Sequence, residues 1–530
     1  MWSVVALIAV LPLVQGNGQV SPPLEVTKPT TQLNSYPLWP QPKEFSLGSA
    51  RLQINGDHFS FEQMQDVKSS LLERGLRRYE ALIVGDSPFS PAPSTPLLST
   101  CGVQVLSVLP EDQEAASLDV GNDESYSLRL TSSECLVQAQ TVWGALRALE
   151  TLTQLLVRQD AQGGVFCNHI PASVSDAPRF SHRGVLVDTS RHYLPMALLQ
   201  RAVDSLVLAK FNVLHWHMVD AQSFPVNTPS APKMVQGAYS PQLTYSMEDV
   251  TSLQAFAADR GVRLLLEVDV PGHTASWGKG YPEVIPANCP EKYPTNVNNQ
   301  ALNPVPDATY ELVEQVLTDL QRATGAKYLH LGGDEVVYGC WTADPTIVKY
   351  MSDHSLSTTD LFTQFVGRTD DIALKLGATP VHWEDVFILG VKTPPQTIFN
   401  VWTNSAQMAN VTGAGYRVIA AASDYWYLDH AENTWQVMYG YDPAQGLSAA
   451  QVALIIGGET SMWGEMVDRE NWFQKVWPTA AAVAERLWSP QEVQDKPQAL
   501  QRLLAYRCRM ESRGFPSTPV QPGFCPTLFV

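Results

Sequence analysis

The chain has 530 residues, 45% of them hydrophobic and 17% charged, which is too long for one ordinary domain and apolar enough to argue against disorder. Its 53 acidic residues outnumber 35 basic ones, giving a formal net charge of −18. That balance disfavours nucleic acid as a partner, because phosphates need a basic face, and it suits an acidic compartment.

In chain order, the run from Val4 to Val14 carries no charge and is followed by Gly16 and Gly18. It is too short for a bilayer span, which needs about 20 apolar residues, and predicts a signal peptide over residues 1–16. No later run is long enough to span a membrane. Residues 17–35 are rich in Pro, Thr and Gln and read as a flexible leader. Residues 36–177 mix short strands and helices, the pattern of a small α+β domain. Within it, Tyr126–Leu130 alternates with period two, and Val142 to Val157 repeats apolar residues at helical spacing through Trp143, Leu146, Leu149, Leu152 and Leu156.

The rhythm changes at Phe180. Candidate strands fall at 183–188, 212–219, 263–269, 327–332, 380–384, 397–402, 417–422 and 453–458, and helical patterns separate most of them. One such helix covers Leu198 to Ala209, with Leu198, Leu199, Ala202, Val203, Leu206 and Ala209 on its apolar face. Apolar runs alternating with helices predict parallel strands, and eight units over residues 178–500 predict an α/β fold, a (β/α)₈ barrel. Residues 501–530 form a C-terminal segment containing Cys508 and Cys525.

Barrels carry their chemistry at the C-terminal ends of the strands, and polar residues gather at those ends here. They are Asp188 and Arg191; His215, His217 and Asp220; Glu267, Asp269 and His273; Asp334 and Glu335; Trp383, Glu384 and Asp385; Trp402; Tyr425, Trp426, Tyr427 and Asp429; and Glu459, Trp463 and Glu465. Carboxylates mixed with tryptophans suit sugar recognition. Trp477 and Trp488 fall in a later helical region and read as core. His215 and His217 share a strand face, but Trp216 and the apolar run around them suit a packed strand bottom, and no third ligand has zinc spacing, so no metal and no cofactor are expected. His273 reads equally as a hydroxyl ligand or proton carrier and as a histidine satisfied by a neighbouring acid.

The segment Tyr328 to Glu335 reads as a buried strand ending in two glycines and two adjacent carboxylates. Retaining glycosidases place an acid and a nucleophile on opposite faces of the sugar, about 5–5.5 Å apart. Asp334 and Glu335 share one peptide unit and are poorly placed to flank a ring. A substrate that brings its own nucleophile, the 2-acetamido group of an N-acetylhexosamine, removes that difficulty.

These residues carry a resemblance. From about Pro37 onward the chain resembles the family-twenty glycoside hydrolases, the β-N-acetylhexosaminidases, and most closely their animal lysosomal type. The motifs are Arg183-Gly184 through Asp188-Thr189-Ser190-Arg191-His192-Tyr193, His215-Trp216-His217, Pro271-Gly272-His273-Thr274, His330 to Glu335, Trp426-Tyr427-Leu428, Trp463-Gly464-Glu465 and Ala484-Glu485-Arg486-Leu487-Trp488. The resemblance implies an exo-acting, retaining, substrate-assisted hydrolase of terminal β-linked N-acetylglucosamine or N-acetylgalactosamine on glycans. It implies Glu335 as general acid/base and Asp334 as the acid that orients the acetamido group. Tyr427 corresponds to the tyrosine on the acetamido carbonyl, and Trp383, Trp402 and Trp463 to the walls. Arg191, Asp429 and Glu465 correspond to residues on the sugar hydroxyls, and Asp220 and His273 to the supporting network. It further implies disulfides Cys289–Cys340 and Cys508–Cys525, a homodimer or a dimer of related subunits, no nucleic acid and no membrane span among its partners, and a secretory route, to the lysosome ahead of secretion.

Cys101, Cys135 and Cys167 leave two pairings open, Cys101–Cys135 or Cys135–Cys167. Asn410-Val411-Thr412 is a glycosylation sequon. Relatives that accept sulfated sugars carry Asn and Arg where this chain has Asp429 and His430, which points to neutral terminal sugars. Two alternatives stand beside the leading reading: a carbohydrate-binding or adhesion protein with weak turnover, and an endo-acting, chitinase-like hydrolase.

Overall fold

The computed structural model describes residues 38–85, 95–159, 164–287, 300–525 and 528–529. The expected signal peptide, the leader and Cys289 lie outside the described residues.

Eight parallel strands close into a barrel in chain order: His182–Asp188, Val213–Val219, Arg263–Val268, Tyr328–His330, Thr379–Trp383, Ile398–Val401, Arg417–Ala420 and Ile455–Met462. The eighth pairs with the first, Glu459 against Gly184. All eight expected strands are present, and the fold is a (β/α)₈ barrel carrying a smaller α+β sheet domain. The fourth strand stops at His330, short of the expected residue 332, because Gly332 and Gly333 turn to φ +62° and +95°.

Alternation along the strands sorts side chains between two apolar environments. Leu214, Trp216 and Met218 face the helical layer and join the main core with Leu199, Ala202, Val203 and Leu206 of the helix Met196–Leu208. Val213, Leu265, Val381, Ile398 and Ile419 form a separate apolar cluster inside the barrel, near the strand starts. Ser246 and Asp249 make a capping box at the helix Met247–Ala258, satisfying backbone N–H groups at its start, a device worth about 1 kcal/mol.

In the N-terminal domain the long strand Gly164–Asp176 pairs antiparallel with Glu44–Ile54, Tyr126–Leu130 and Leu156–Gln159. The sequence reading carried the helix from Val142 to Val157, whereas the helix ends at Gln154 and Leu156 begins a strand opposite Cys167. Pairing with that neighbouring strand overrides the helical spacing. Tyr126–Leu130 is the expected strand.

This domain meets the barrel at the start of the first strand and just before the second. Glu124 takes Arg183 at 2.7 Å and Arg147 at 2.7 Å, and Asp176 takes Lys210 at 2.9 Å, all buried. Trp488 covers both cations, 4.9 Å from Arg183 and 4.3 Å from Lys210, so it is core as expected, and Trp477 is fully buried too.

Candidate active site

Two residues further along the strands than the apolar interior cluster, the inward positions become polar. His215 Nδ1 lies 2.8 Å from Glu459, and its Nε2 lies 3.0 Å from Glu267. Glu267 also takes His217 Nδ1 at 2.7 Å and the Trp383 indole N–H at 2.8 Å. Burial alone would raise Glu267, but His217 and His330 hold it well below the usual carboxylate range. Burial works against a cation at His215, yet Glu459 and Glu267 outweigh it and push its pKa up to about 9. Burial pushes His330 down to about 3, and its Nδ1 accepts the Gly332 N–H at 3.2 Å. His215 and His217 therefore do not form a packed strand bottom. They point into the barrel above the apolar cluster, because they share parity with Val213.

At the next level sits the acid pair. Gly332 must be glycine: a Cβ there would lie 1.8 Å from Asp269 Oδ1, at a positive φ. The same Asp269 oxygen accepts the Gly333 N–H at 3.0 Å, which fixes the loop. Glu335 is held at φ +50°, uncommon for a residue with a side chain. The side chain of Asp334 is 10% exposed, whereas that of Glu335 is 51% exposed. His273 Nε2 faces three carboxylates, Asp334 at 3.5 Å, Glu335 at 3.7 Å and Asp269 at 3.7 Å. Its Nδ1 lies 3.2 Å from Asp220. Burial opposes the imidazolium, but Asp220, Asp269 and Asp334 raise its pKa well above the ordinary range. Burial and then Asp334 push Asp269 well above the usual carboxylate range. Burial and then Asp334 push Asp385 up to about 7.

A cavity of about 190 Å³ opens above them. It is lined by Arg191, His273, Asp334, Glu335, Trp383, Trp402, Tyr427, Asp429, Trp463 and Glu465, which are the expected site residues other than Asp220, and also by His217 and Asp269. Asp220 stands behind that lining, bonded to Arg191 at 2.8 Å and to His217 at 2.9 Å. Burial would raise Asp220, but His273 and Arg191 hold it far below the usual carboxylate range. The Arg191 guanidinium also meets Asp188 at 2.9 Å and Glu465 at 3.7 Å, and lies 5.1 Å from the Trp463 ring centre. Aromatic walls enclose the space: Trp383 and Trp463 at 6.0 Å, Tyr427 and Trp463 at 6.3 Å, and Trp402 stacked on Tyr427 at 6.3 Å. Burial raises Asp429, and Glu465 stands at the rim.

Sequence reasoning left Asp188, His217, Glu267, Asp269, Glu384 and Asp385 without roles, although all were visible as strand-end polar residues. Parity was the available signal: His217 and Asp269 fall two residues beyond His215 and Glu267, whose side chains point inward. Two groups bring donor atoms close enough for a cation, His215 with Glu267 and His330, and Asp269 with His273 and Asp334. In the first, Glu267 already takes His215, His217 and Trp383; in the second, the imidazole nitrogen that would bind a cation is the one facing the carboxylates.

Cys101 pairs with Cys135, leaving Cys167 free and buried, and Cys508 pairs with Cys525. Cys340 is disulfide-bonded, and its expected partner Cys289 lies outside the described residues. Asn410 is exposed on the helix Gln407–Gly413. No helix among the described residues is long and apolar enough to cross a membrane.

The sequence profile "Glycosyl hydrolase family 20, catalytic domain" matches residues 180–491, and "beta-acetyl hexosaminidase like" matches residues 38–155. The chain is 37% identical over 503 residues to beta-hexosaminidase 3 of Arabidopsis thaliana, covering 92% of this chain and 91% of that one. It is 36% identical over 502 residues to the beta-hexosaminidase subunit beta of Homo sapiens, covering 92% and 89%. Among solved structures it resembles the chitobiase of Flavobacterium johnsoniae, with TM-score 0.77, 27% identity and coverage of 91% of this chain and 73% of that one.

Proposed function

The chain belongs to glycosyl hydrolase family 20 and is a glycosidase that removes β-linked N-acetylhexosamine from chain ends; from that premise we propose that it cleaves with retention by using the substrate's own acetamido group as the nucleophile. One observation carries the reading: the two adjacent acids converge on one side of the cavity, Asp334 3.5 Å and Glu335 3.7 Å from the same His273 nitrogen. Asp334 is the more buried of the two, and Glu335 stands half-exposed at the cavity. They serve one face of a bound sugar between them rather than its two faces, so the attacking group has to come from the substrate.

In this scheme Glu335 gives its proton to the glycosidic oxygen as the bond to the anomeric carbon breaks. The acetamido carbonyl oxygen bonds to that carbon from the other side and forms an oxazolinium ion. Asp334 accepts the acetamido N–H, fixes its orientation and offsets the developing positive charge. Tyr427 donates its hydroxyl proton to the carbonyl oxygen; burial keeps that phenol well above its usual pKa, so it stays a donor. Water then gives a proton to the Glu335 carboxylate and attacks the anomeric carbon, reopening the ring with net retention. Internal attack gains from high effective molarity. Trp383, Trp402 and Trp463 pack the acetamido methyl and the ring, and Arg191, Asp429 and Glu465 take hydroxyls. Asp220 and His273 hold Arg191 and the acid pair in register.

A carboxylate at Asp429, with Glu465 nearby, repels an anionic substituent and favours neutral terminal sugars. Assembly as a dimer fits relatives that are named as subunits, and the disulfides fit passage through the oxidising secretory pathway. The test is Glu335→Gln against an aryl β-N-acetylglucosaminide. Turnover is expected to fall by about 10²–10⁴-fold with KM near the parent value. Unchanged turnover would remove Glu335 from the chemistry.

A further inference from the structure

We propose that Asp385 is a positioning residue that ties the proton donor to the indole wall of the sugar pocket, an inference that rests on the role given above to Glu335. Asp385 opens the short helix Asp385–Ile388, two residues after the fifth strand ends at Trp383. Its two oxygens face different ways. Oδ1 accepts the backbone N–H of Glu335 at 3.3 Å, and Oδ2 accepts the indole N–H of Trp402 at 2.7 Å. It is absent from the cavity lining, so it acts through those two neighbours and does not touch substrate.

The need for such a tie is visible on both sides. Glu335 carries a positive φ at a loop position, a conformation that its surroundings must enforce. Trp402 follows the sixth strand, Ile398–Val401, and its backbone N–H is held separately by Glu384 at 2.6 Å. Glu384 fixes where the chain of Trp402 runs, and Asp385 fixes how its ring is turned. The same carboxylate therefore sets the ring that packs the sugar and the peptide that carries the acid. A sugar seated against Trp402 meets Glu335 already at the right distance from the glycosidic oxygen. Burial beside Asp334 disfavours a charge at Asp385, yet the carboxyl group is kept where it accepts from both Glu335 and Trp402.

The readout is how each variant's loss depends on the leaving group. A dinitrophenyl aglycone departs with little protonation, whereas an alkyl aglycone needs the general acid. Glu335→Gln serves as the reference and is expected to lose far more rate on the alkyl than on the dinitrophenyl β-N-acetylglucosaminide. Asp385→Ala is expected to show the same asymmetry at smaller scale, about tenfold to a hundredfold in kcat on the alkyl substrate, with KM changed by less than about threefold. Asp385→Asn keeps one acceptor oxygen and should fall between parent and Asp385→Ala; it carries the same comparison if the alanine variant does not fold. In Trp402→Phe, which lacks the indole donor but keeps the wall, adding Asp385→Ala should cost less than it does in the parent. Equal losses on both aglycones in the Asp385 variants, with Glu335→Gln still asymmetric, would overturn the positioning role alone. Loss of the asymmetry in Glu335→Gln itself would overturn the proton-donor reading and this inference with it.

Discussion

The two ends of the barrel are made by the same strands, yet they do different work. Near the strand starts, Val213, Leu265, Val381, Ile398 and Ile419 fill the interior, each buried side chain worth about 1.5–3 kcal/mol. Two residues further along several of those strands the inward positions hold His215, Glu267 and Trp383, and beyond these come His217 and Asp269. Buried charges cost several kcal/mol each unless paired, and here each is paired. The apolar end, braced by the Glu124 and Asp176 ion pairs to the sheet domain, stabilises a barrel whose other end is arranged for chemistry. A (β/α)₈ barrel can separate these tasks because a fixed parity carries each strand from one environment to the other.

The contrast can be broken with pH. A folded-state pKa of about 9 at His215, above the unfolded value near 6.5, means the folded chain binds that proton more tightly. Its contribution is fully present below about pH 6.5 and is lost as pH rises through 9, on the order of 3 kcal/mol in all. His217 and His273, also raised, act in the same direction. Denaturant midpoints measured from pH 6 to pH 9.5 should fall, and a flat profile would show that these imidazoles are neutral in the folded state.

A smaller effect sharpens the contrast from the other end. Ile419→Val removes one methylene-sized group from the apolar cluster and should lower stability by about 0.5–1.5 kcal/mol while leaving kcat on an aryl N-acetylglucosaminide at the parent value. A matching fall in kcat would show that the two ends are mechanically coupled.

Much of this was legible beforehand. Apolar runs and their spacing located all eight barrel strands, and polar residues at one strand end located the cavity, because parity and chain direction are local properties. What failed depended on partners distant in sequence. Helical spacing after Val142 runs past the end of the helix at Gln154, because the pairing of Leu156 with Cys167 is not visible in spacing alone. His215 and His217 looked like packing residues until Glu459 and Glu267 appeared beside them. Asp385 was one acid among several, and only the fold brings it between Glu335 and Trp402.

Progressive fluorination of the acetamido methyl tests the mechanism most directly. Each fluorine withdraws electron density from the carbonyl oxygen while changing its size little. If that oxygen attacks the anomeric carbon, kcat/KM should fall steeply from N-acetyl to N-fluoroacetyl, N-difluoroacetyl and N-trifluoroacetyl glucosaminides. Equal rates across the four substrates would mean that the nucleophile belongs to the protein or to water.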